Sequence, residues 1–365
     1  MISKRKLCIW SLLLIFWFIA LVSKLKYNGL VYGLDFGLYH PDGALYTFRT
    51  LMLLGHSQFD SGTLVSQWYG DHAFKGNFFT AQSLFFENNS NWSIYRSRIL
   101  YPALSVPFVA IIGIPGMLVI PALSLLILMI ITLVISYRFQ NPIIGLIIAV
   151  TFSFSSSITR WMFSNITDGL LVLIMSIAVL LLLLNNWTLL NTCSILFLVF
   201  LTGLTRFSYL LWLAVAIVLY FNKRKLLSIM IAGVSSIFIV PVLVNNLGYA
   251  IMPSSGDVSI YHKIVKFPTS MVRVGIVEIA QITILDRLLL ILLILSIILS
   301  LKFRKELSSK FFLSVLFSLW VTGAINGTLG VNFRYQLPIL PFISWVVIAN
   351  SIKFADTKKS ANGTV

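Results

Sequence analysis

The segment Gly116–Ser136 reads GMLVIPALSLLILMIITLVIS and contains no charged residue. A helix needs about 20 mostly apolar residues to cross the hydrocarbon core of a bilayer, and this segment has that length. Because lipid offers peptide groups no hydrogen-bond partners, such a segment must satisfy them internally, as a helix does. The segment therefore predicts a transmembrane α-helix.

The composition extends this prediction to the whole chain. Of its 365 residues, 58% are hydrophobic and only 10% are charged, and the mean hydropathy is +0.95. Soluble domains carry about 25% charged residues, so this chain has too few charges to cover a surface that faces water. We predict an all-α, polytopic transmembrane helix bundle with about ten crossings. The predicted crossings are 7–23, 116–136, 142–158, 169–184, 189–204, 207–221, 226–246, 284–301, 311–325 and 335–350.

One further apolar stretch is too short to be counted with these crossings. It runs from Ile99 to Gly113 and contains Pro102 and Pro107. If it crossed the membrane, the basic cluster 223–225 would lie outside the cytoplasm, against the usual distribution of positive charge. We therefore predict a re-entrant or interfacial helix here.

The chain is predicted to form a single membrane domain, 1–350, followed by a cytoplasmic tail, 351–365. Two long extracytoplasmic loops are expected at 24–98 and 247–283. In the second loop, Lys263–Ile279 has the aromatic and basic residues of an interfacial helix. Pro268 predicts a break within that helix.

The charges orient the chain in the membrane. Three basic residues, 4–6, precede the first apolar run, which lacks a small-residue cleavage site and so predicts an uncleaved anchor. Basic clusters mark cytoplasmic segments, which places both termini in the cytoplasm together with 223–225 and 302–310. Most acidic residues then lie on the opposite side. We expect the function on that extracytoplasmic face.

Several other partners and cofactors are not indicated. In a membrane protein, the formal net charge of +16 bears on orientation, and no nucleic-acid partner is expected. Cys8 and Cys193 lie in apolar runs and indicate neither a disulfide framework nor a zinc site. The four histidines lack the spacing of metal ligands on a helix. No metal ligand is assigned, and dependence on a divalent metal stays open.

The first loop contains a candidate catalytic acid in the stretch His40-Pro41-Asp42-Gly43-Ala44-Leu45-Tyr46. Asp42 precedes an apolar-periodic stretch, where an aspartate is often the N-cap of a helix. A carboxylate held at the membrane surface can also act as a general base. The two interpretations are compatible.

Charged residues also recur where predicted helices meet the outer face. Arg160, Arg206 and Arg334 lie at this level, together with Asp168. They are interpreted either as snorkelling side chains, with an Arg160–Asp168 pair, or as an anion-binding cluster. The planar guanidinium suits phosphate because it donates two parallel hydrogen bonds.

Four stretches together resemble the GT-C class of polytopic glycosyltransferases, which take a sugar from a polyprenyl-phosphate carrier at the outer face. His40–Tyr46 is similar to the acidic motif of the first extracytoplasmic loop in that class. Tyr95–Pro102 resembles the start of the next membrane segment, and Arg160–Leu171 resembles the region with an Asp before the fourth crossing. Asn332–Pro341 resembles the Arg-Tyr-x-x-Pro-x-x-Pro start of a late helix.

The resemblance implies an inverting transfer of the sugar to an acceptor hydroxyl, with Asp42 as the catalytic base and Arg334 and Arg206 on the carrier phosphate. Gly43 stands where many members have a second acid. The further candidates are Arg160, His40 and Tyr335 for substrate or phosphate binding, and Asp168 or Asp35, then Asp71 or Glu87, for the second acid. The implied partners are a lipid-linked sugar donor, a glycan, lipid or protein acceptor, and membrane lipids.

Two other functions are compatible with the sequence. The first is a transporter or flippase for a lipid-linked or anionic substrate, although transporters often show repeated halves and charges at mid-membrane depth. The second is a membrane assembly subunit that binds a neighbour through the long loops.

Overall fold

The computed structural model of the chain describes residues 4–27, 41–72, 98–184, 188–205, 209–245, 260–326 and 334–362. These parts of the chain form helices joined by turns and contain no strand, which confirms the all-α prediction. The α-helices are α1 Lys4–Tyr27, α2 Pro41–Leu53, α3 Gln58–His72, α4 Leu100–Ile112, α5 Val119–Arg138, α6 Pro142–Phe154, α7 Ser156–Met162, α8 Asp168–Leu184, α9 Leu189–Gly203, α10 Tyr209–Phe221, α11 Lys225–Asn245, α12 Ile260–Leu285, α13 Arg287–Lys302, α14 Leu307–Asn326 and α15 Leu340–Asn362. Two 3₁₀ helices, Ile114–Leu118 and Arg334–Ile339, precede α5 and α15.

Within these parts of the chain, four helical segments are long and apolar enough to cross a membrane. They are Lys6–Ser23, Ile114–Arg138, Leu307–Ala324 and Gln336–Phe354. The bent pair α6 and α7 makes a fifth if it is counted as one span, and five further apolar helices are shorter. The helices thus indicate a membrane protein, whereas length and composition alone support four or five crossings and not the full predicted number. The last helix also continues through the predicted tail as far as Asn362.

The core of the bundle lies around α5, α8 and the first half of α15. α8 is apolar on every side, and most of its residues are buried, as expected for a helix surrounded by others. The hydroxyl groups of Thr132 on α5 and Ser344 on α15 form a hydrogen bond at 2.9 Å. Small residues allow close approach between helices, as at Gly145 of α6, where an added Cβ would overlap the Ser136 side chain of α5.

The segment 142–158, predicted as one crossing, is not one continuous helix. α6 ends at Phe154, Ser155 adopts an extended backbone (ψ 117°), and α7 leaves at an angle of 70°. The Ser155 hydroxyl accepts a hydrogen bond from the Ile158 amide at 3.1 Å and so caps α7. Serine side chains can compete in this way with the hydrogen bonds of a continuing helix. The hydropathy of the segment alone gives no sign of this break.

A buried carboxylate from a distant part of the chain holds this break. Asp286, which is 5% exposed, accepts hydrogen bonds from the Ser155 hydroxyl and, at 3.1 Å, from the Ser157 amide. It also caps α13 by accepting a bond from the Leu289 amide at 3.1 Å. One side chain therefore satisfies donors at the starts of both α7 and α13.

We expect Asp286→Ala to lower the free energy of unfolding by about 2–4 kcal/mol, because a cap and hydrogen bonds to a charged group are lost. Unfolding in detergent micelles measures this loss. The matched control is Asp60→Ala, because Asp60 is an exposed carboxylate on α3 that accepts a hydrogen bond from the hydroxyl of Ser57, the residue before that helix. The control should lose no more than about 1 kcal/mol. Equal losses in the two variants would show that Asp286 holds nothing beyond an ordinary surface contact.

The helix predicted at 99–113 is present as α4, and the chain reverses direction after it. Gly113 adopts a positive φ of 70°, and Gly116 then packs directly on the Phe108 backbone. The Tyr101 hydroxyl, near the start of α4, donates a 2.6 Å hydrogen bond to the Met117 carbonyl. The chain therefore folds back against α4, and the re-entrant or interfacial placement of α4 stays a prediction.

The break predicted at Pro268 is wrong, because α12 runs through it from Ile260 to Leu285. Contacts with α14 hold the helix just after the proline. The Trp320 indole donates a 2.8 Å hydrogen bond to the Met271 carbonyl, and its ring packs on Gly275. Neighbouring helices commonly allow a proline to remain within a membrane-protein helix.

Several helix ends with basic residues meet at one end of the bundle, which we call the basic end. Contacts there connect side chains of different helices or of the turns between them. Four of these contacts are Lys6–Tyr137, Asn222–Lys310, Glu306–Lys353 and Lys302–Phe354.

Candidate active site

Asp42 lies in the first turn of α2, at the second residue of that helix. The proline before it, Pro41, is the first helical residue, a position that proline favours because no amide hydrogen is needed there. Asp42 is therefore not the N-cap, and its charge instead complements the positive end of the helix dipole. Its side chain is 29% exposed and so accessible from outside the bundle.

Arg334 joins Asp42 to a second carboxylate. Its Nη2 lies 2.7 Å from Asp42 Oδ2, and its Nε lies 3.1 Å from Asp168 Oδ2. These partners are 292 and 166 residues away along the chain. Arg334 begins the 3₁₀ helix before α15, and Asp168 is the first residue of α8. The structure thus brings three of the predicted site residues into direct contact.

Burial makes this ion-pair cluster strong and costly to disturb. Arg334 is 8% exposed and Asp168 is 2% exposed. Removing one member of a buried ion pair costs about 3–5 kcal/mol, because the remaining charge stays uncompensated. Asp42 is the most exposed of the three side chains.

An aromatic ring connects the cluster to another predicted residue, Arg160. The guanidinium carbons of Arg160 and Arg334 each lie 5.1 Å from the centre of the Trp161 ring. This distance is within the range of cation–π attraction. Arg160 is half-buried, and Trp161 is 4% exposed. The predicted anion-binding cluster therefore has at least two of its arginines together, beside the carboxylates.

Sequence reasoning did not assign roles to several residues that support the site. Tyr46 lies one turn after Asp42 on α2, and its hydroxyl is 3.4 Å from the Thr167 hydroxyl. Arg98 donates to the same Tyr46 oxygen at 3.1 Å. Asp42 and Tyr46 are four residues apart, and a helix places residues at this spacing on one face, so the spacing is the signal by which Tyr46 could be found.

Other predicted residues cannot be compared with the structure. His40, Asp35, Arg206 and Glu87 lie outside the described residues, and for Asp71 and Tyr335 the structure describes the backbone alone. Their roles stay predictions. Asp168, by contrast, supplies a second carboxylate next to Asp42, although it comes from α8 and not from the first loop.

A divalent metal does not fit between Asp42 and Asp168, because the Arg334 guanidinium lies between their carboxylates and binds both. Within the parts of the chain that the structure describes, no three His, Cys, Asp or Glu side chains lie close enough together to hold a metal ion.

The site lies at the end of the bundle opposite the basic end. Arg334 begins the 3₁₀ helix that leads into α15, whereas Lys353 and Phe354, which make contacts at the basic end, lie some 20 residues later, roughly 20 Å or more along these two helices. The arrangement is thus an accessible carboxylate, a buried guanidinium and a second carboxylate, assembled from three distant parts of one chain. No protein-family model matches the chain, and neither a curated protein nor a solved structure matches it.

Proposed function

We propose that this protein is a membrane glycosyltransferase of the GT-C type, which moves a sugar from a polyprenyl-phosphate carrier to an acceptor hydroxyl. The observation that carries the proposal is the contact of Asp42 and Asp168 with one guanidinium, Arg334, at one end of the bundle. Each of these residues lies in a stretch that resembles a GT-C motif. Their convergence is what a shared catalytic site requires, and it supports the proposal.

In the proposed reaction, Asp42 is the general base. Its carboxylate accepts the proton of the acceptor hydroxyl as that oxygen attacks the anomeric carbon of the sugar. The bond between the anomeric carbon and the phosphate oxygen breaks, and the carrier phosphate leaves with the bonding electrons. Attack from the face opposite the leaving group inverts the configuration. A positioned base of this kind contributes about 10²–10⁴-fold to a rate.

The departing phosphate gains negative charge and needs a cation held in place beforehand. We assign the phosphate first to Arg160, because it is half-buried and lies at the same Trp161 ring as Arg334. Arg334 then orients Asp42 and adds positive charge to the same region. Asp168 and Trp161 keep the Arg334 guanidinium in place from two sides.

The direction of the helices supports the full membrane arrangement of about ten crossings that the sequence predicts. α5, α13 and α15 end at the basic end, and α14 begins there. α8 begins at the site, and in this arrangement α4 is counted as a re-entrant helix and not as a crossing. With positive charge inside, the termini are cytoplasmic and the site is extracytoplasmic.

We expect cysteine labelling to place the two ends on opposite sides of the membrane. His56, in the turn between α2 and α3, and Lys305, between α13 and α14, are both exposed. In a background without Cys8 and Cys193, a membrane-impermeant maleimide should label His56→Cys in intact cells and Lys305→Cys only after permeabilisation. Labelling of both from the same side would contradict this arrangement.

The function is tested with the purified protein in liposomes, supplied with polyprenyl-phosphate donors that carry different radiolabelled sugars and with lipid and glycan acceptors. We expect label to move from donor to product. The matched control is Asp60→Asn, an exposed carboxylate on α3 outside the cluster, which should transfer sugar at the wild-type rate. Movement of the intact donor across the bilayer without any transfer would overturn the proposal in favour of a flippase.

We place the cluster near the membrane surface, which favours the transferase over the transporter. Transporters place their substrate sites near the bilayer midplane, often at broken helices. Here the charged residues lie at helix starts, in the first turn of α2, at the first residue of α8 and just before α15. A site at the membrane surface suits a reaction between a lipid-linked donor and an acceptor from outside.

A further inference from the structure

Beside Asp42, a closed ring of four buried residues connects α2, α3 and the segment between α7 and α8. Thr47 donates a 2.8 Å hydrogen bond to the Gly43 carbonyl, and its hydroxyl lies 3.2 Å from the Tyr69 hydroxyl. The Asn165 amide nitrogen donates to the same Tyr69 oxygen. Thr47, Tyr69 and Asn165 are all 0% exposed. We call these four residues the α2 ring.

The ring closes where Asn165 meets Gly43. A Cβ added at Gly43 would overlap the Asn165 side chain, with its Oδ1 as the nearest atom. Asn165 is not a flexible surface side chain that moves aside, since it is fully buried and bonded to Tyr69. Close packing of this kind transmits displacement to neighbouring atoms. A side chain larger than hydrogen at position 43 therefore has to push Asn165 or α2 out of place.

We propose that Asn165 is a positioning residue for Asp42. It lies against the α-carbon next to Asp42 and holds Tyr69, which in turn contacts the next turn of α2 through Thr47. The first turn of α2 is thereby held against the segment that leads directly into Asp168. This sets the distance from the Asp42 carboxylate to the Arg334 guanidinium, which Asp168 holds from the other side.

The inference deepens the proposed function and rests on it for its catalytic consequence, but its geometric part does not require sugar transfer. A displacement of about 1 Å in a catalytic group can cost about 10²-fold in rate. We expect Gly43→Ala and Asn165→Ala each to lower kcat while leaving the KM for the donor nearly unchanged, because base geometry matters most in the transition state. Gly43→Ala should show the larger fall, on the order of 10²-fold.

The decisive variant combines Gly43→Ala with Asn165→Ala. Removing the Asn165 amide makes room for the new methyl group, so the double variant should regain much of the rate that Gly43→Ala loses. Because the two residues touch, their effects on stability are not expected to add, so the rescue supports positioning only if kcat recovers more than the melting temperature does. The matched control is Asn350→Ala, another asparagine with 0% exposure, which donates to the Ser309 hydroxyl at 2.9 Å near the basic end. It should affect melting temperature without lowering kcat.

A second readout needs no substrate. The full-length protein in liposomes is treated with carbodiimide and glycine ethyl ester, and modification of Asp42 is measured by peptide mass spectrometry. Asp42 paired with Arg334 should react slowly in the wild type and in Asn350→Ala. It should react severalfold faster in Gly43→Ala and slowly again in the double variant.

The two readouts separate the two proposals. If wild-type protein transfers no sugar, the proposed function fails, and the labelling pattern alone decides the role of Asn165. If the wild type is active but neither labelling nor kcat in Gly43→Ala and Asn165→Ala differs from that in Asn350→Ala, the inference about Asn165 is wrong and the proposed function stands.

Discussion

The Asp42→Asn variant should transfer sugar about 10²–10⁴-fold more slowly than the wild type while its bundle stays folded. An asparagine has nearly the same shape as aspartate, and its side-chain oxygen still accepts a hydrogen bond from Arg334. It cannot accept a proton from the acceptor hydroxyl, so only the chemical step is lost. Initial rates with a labelled donor, together with melting temperatures, measure the two effects separately.

Comparison with the other carboxylate sharpens this test. Asp168→Asn changes a buried acid that contacts the same guanidinium, so it should lower the melting temperature more than Asp42→Asn does. Its effect on kcat should be smaller, because Asp168 is 2% exposed and does not reach the acceptor. A wild-type rate in Asp42→Asn would show that another group is the base, whatever rate is measured for Asp168→Asn.

The second large effect is expected from Arg334→Leu, which removes the cation shared by two carboxylates. We expect a loss of about 3–5 kcal/mol in the free energy of unfolding, since Asp168 would remain buried without its partner. Arg334→Lys should lose less but should not restore wild-type stability. A lysine ammonium lacks the planar fork with which the guanidinium binds both carboxylates.

A double variant identifies the source of that loss. Adding Asp168→Asn to Arg334→Leu removes the uncompensated buried charge and should recover part of the stability, which appears as a coupling energy in a double-mutant cycle. Unfolding in detergent gives the four values needed. Arg160→Gln serves as the comparison, because loss of its contact with the Trp161 ring should cost only about 1 kcal/mol. Additive losses for Arg334 and Asp168 would show that the two side chains do not stabilise one another.

The sequence predicted the helical fold and the members of the site better than it predicted their arrangement. Asp42, Asp168 and Arg334 were each identifiable, because charge is rare in this chain and these residues stand where apolar runs begin. That Arg334 binds both acids could not be predicted, since the pairing depends on how α2, α8 and the start of α15 meet in space. Spacing alone favours a local pair between Arg160 and Asp168, and that pair stays a prediction.

The errors in the fold have the same origin. Hydropathy reads the run through Ser155 as one span, because the carboxylate that holds the break, Asp286, lies 131 residues away. Pro268 predicts a break by a local rule, but the Trp320 and Gly275 contact between α12 and α14 overrides it. In both cases a side chain from a distant part of the chain stabilises the local backbone conformation. A short stretch of sequence cannot predict such a contact.

The single guanidinium shared by two acids also has an evolutionary consequence. A substitution at Arg334, Asp42 or Asp168 changes the conditions under which the other two are tolerated, so drift at these positions cannot be independent. Descendants of this chain that lose one acid should accumulate a compensating change at one of the other two positions. Substitutions at the three positions should therefore be correlated, even across lineages in which the surrounding apolar residues vary freely.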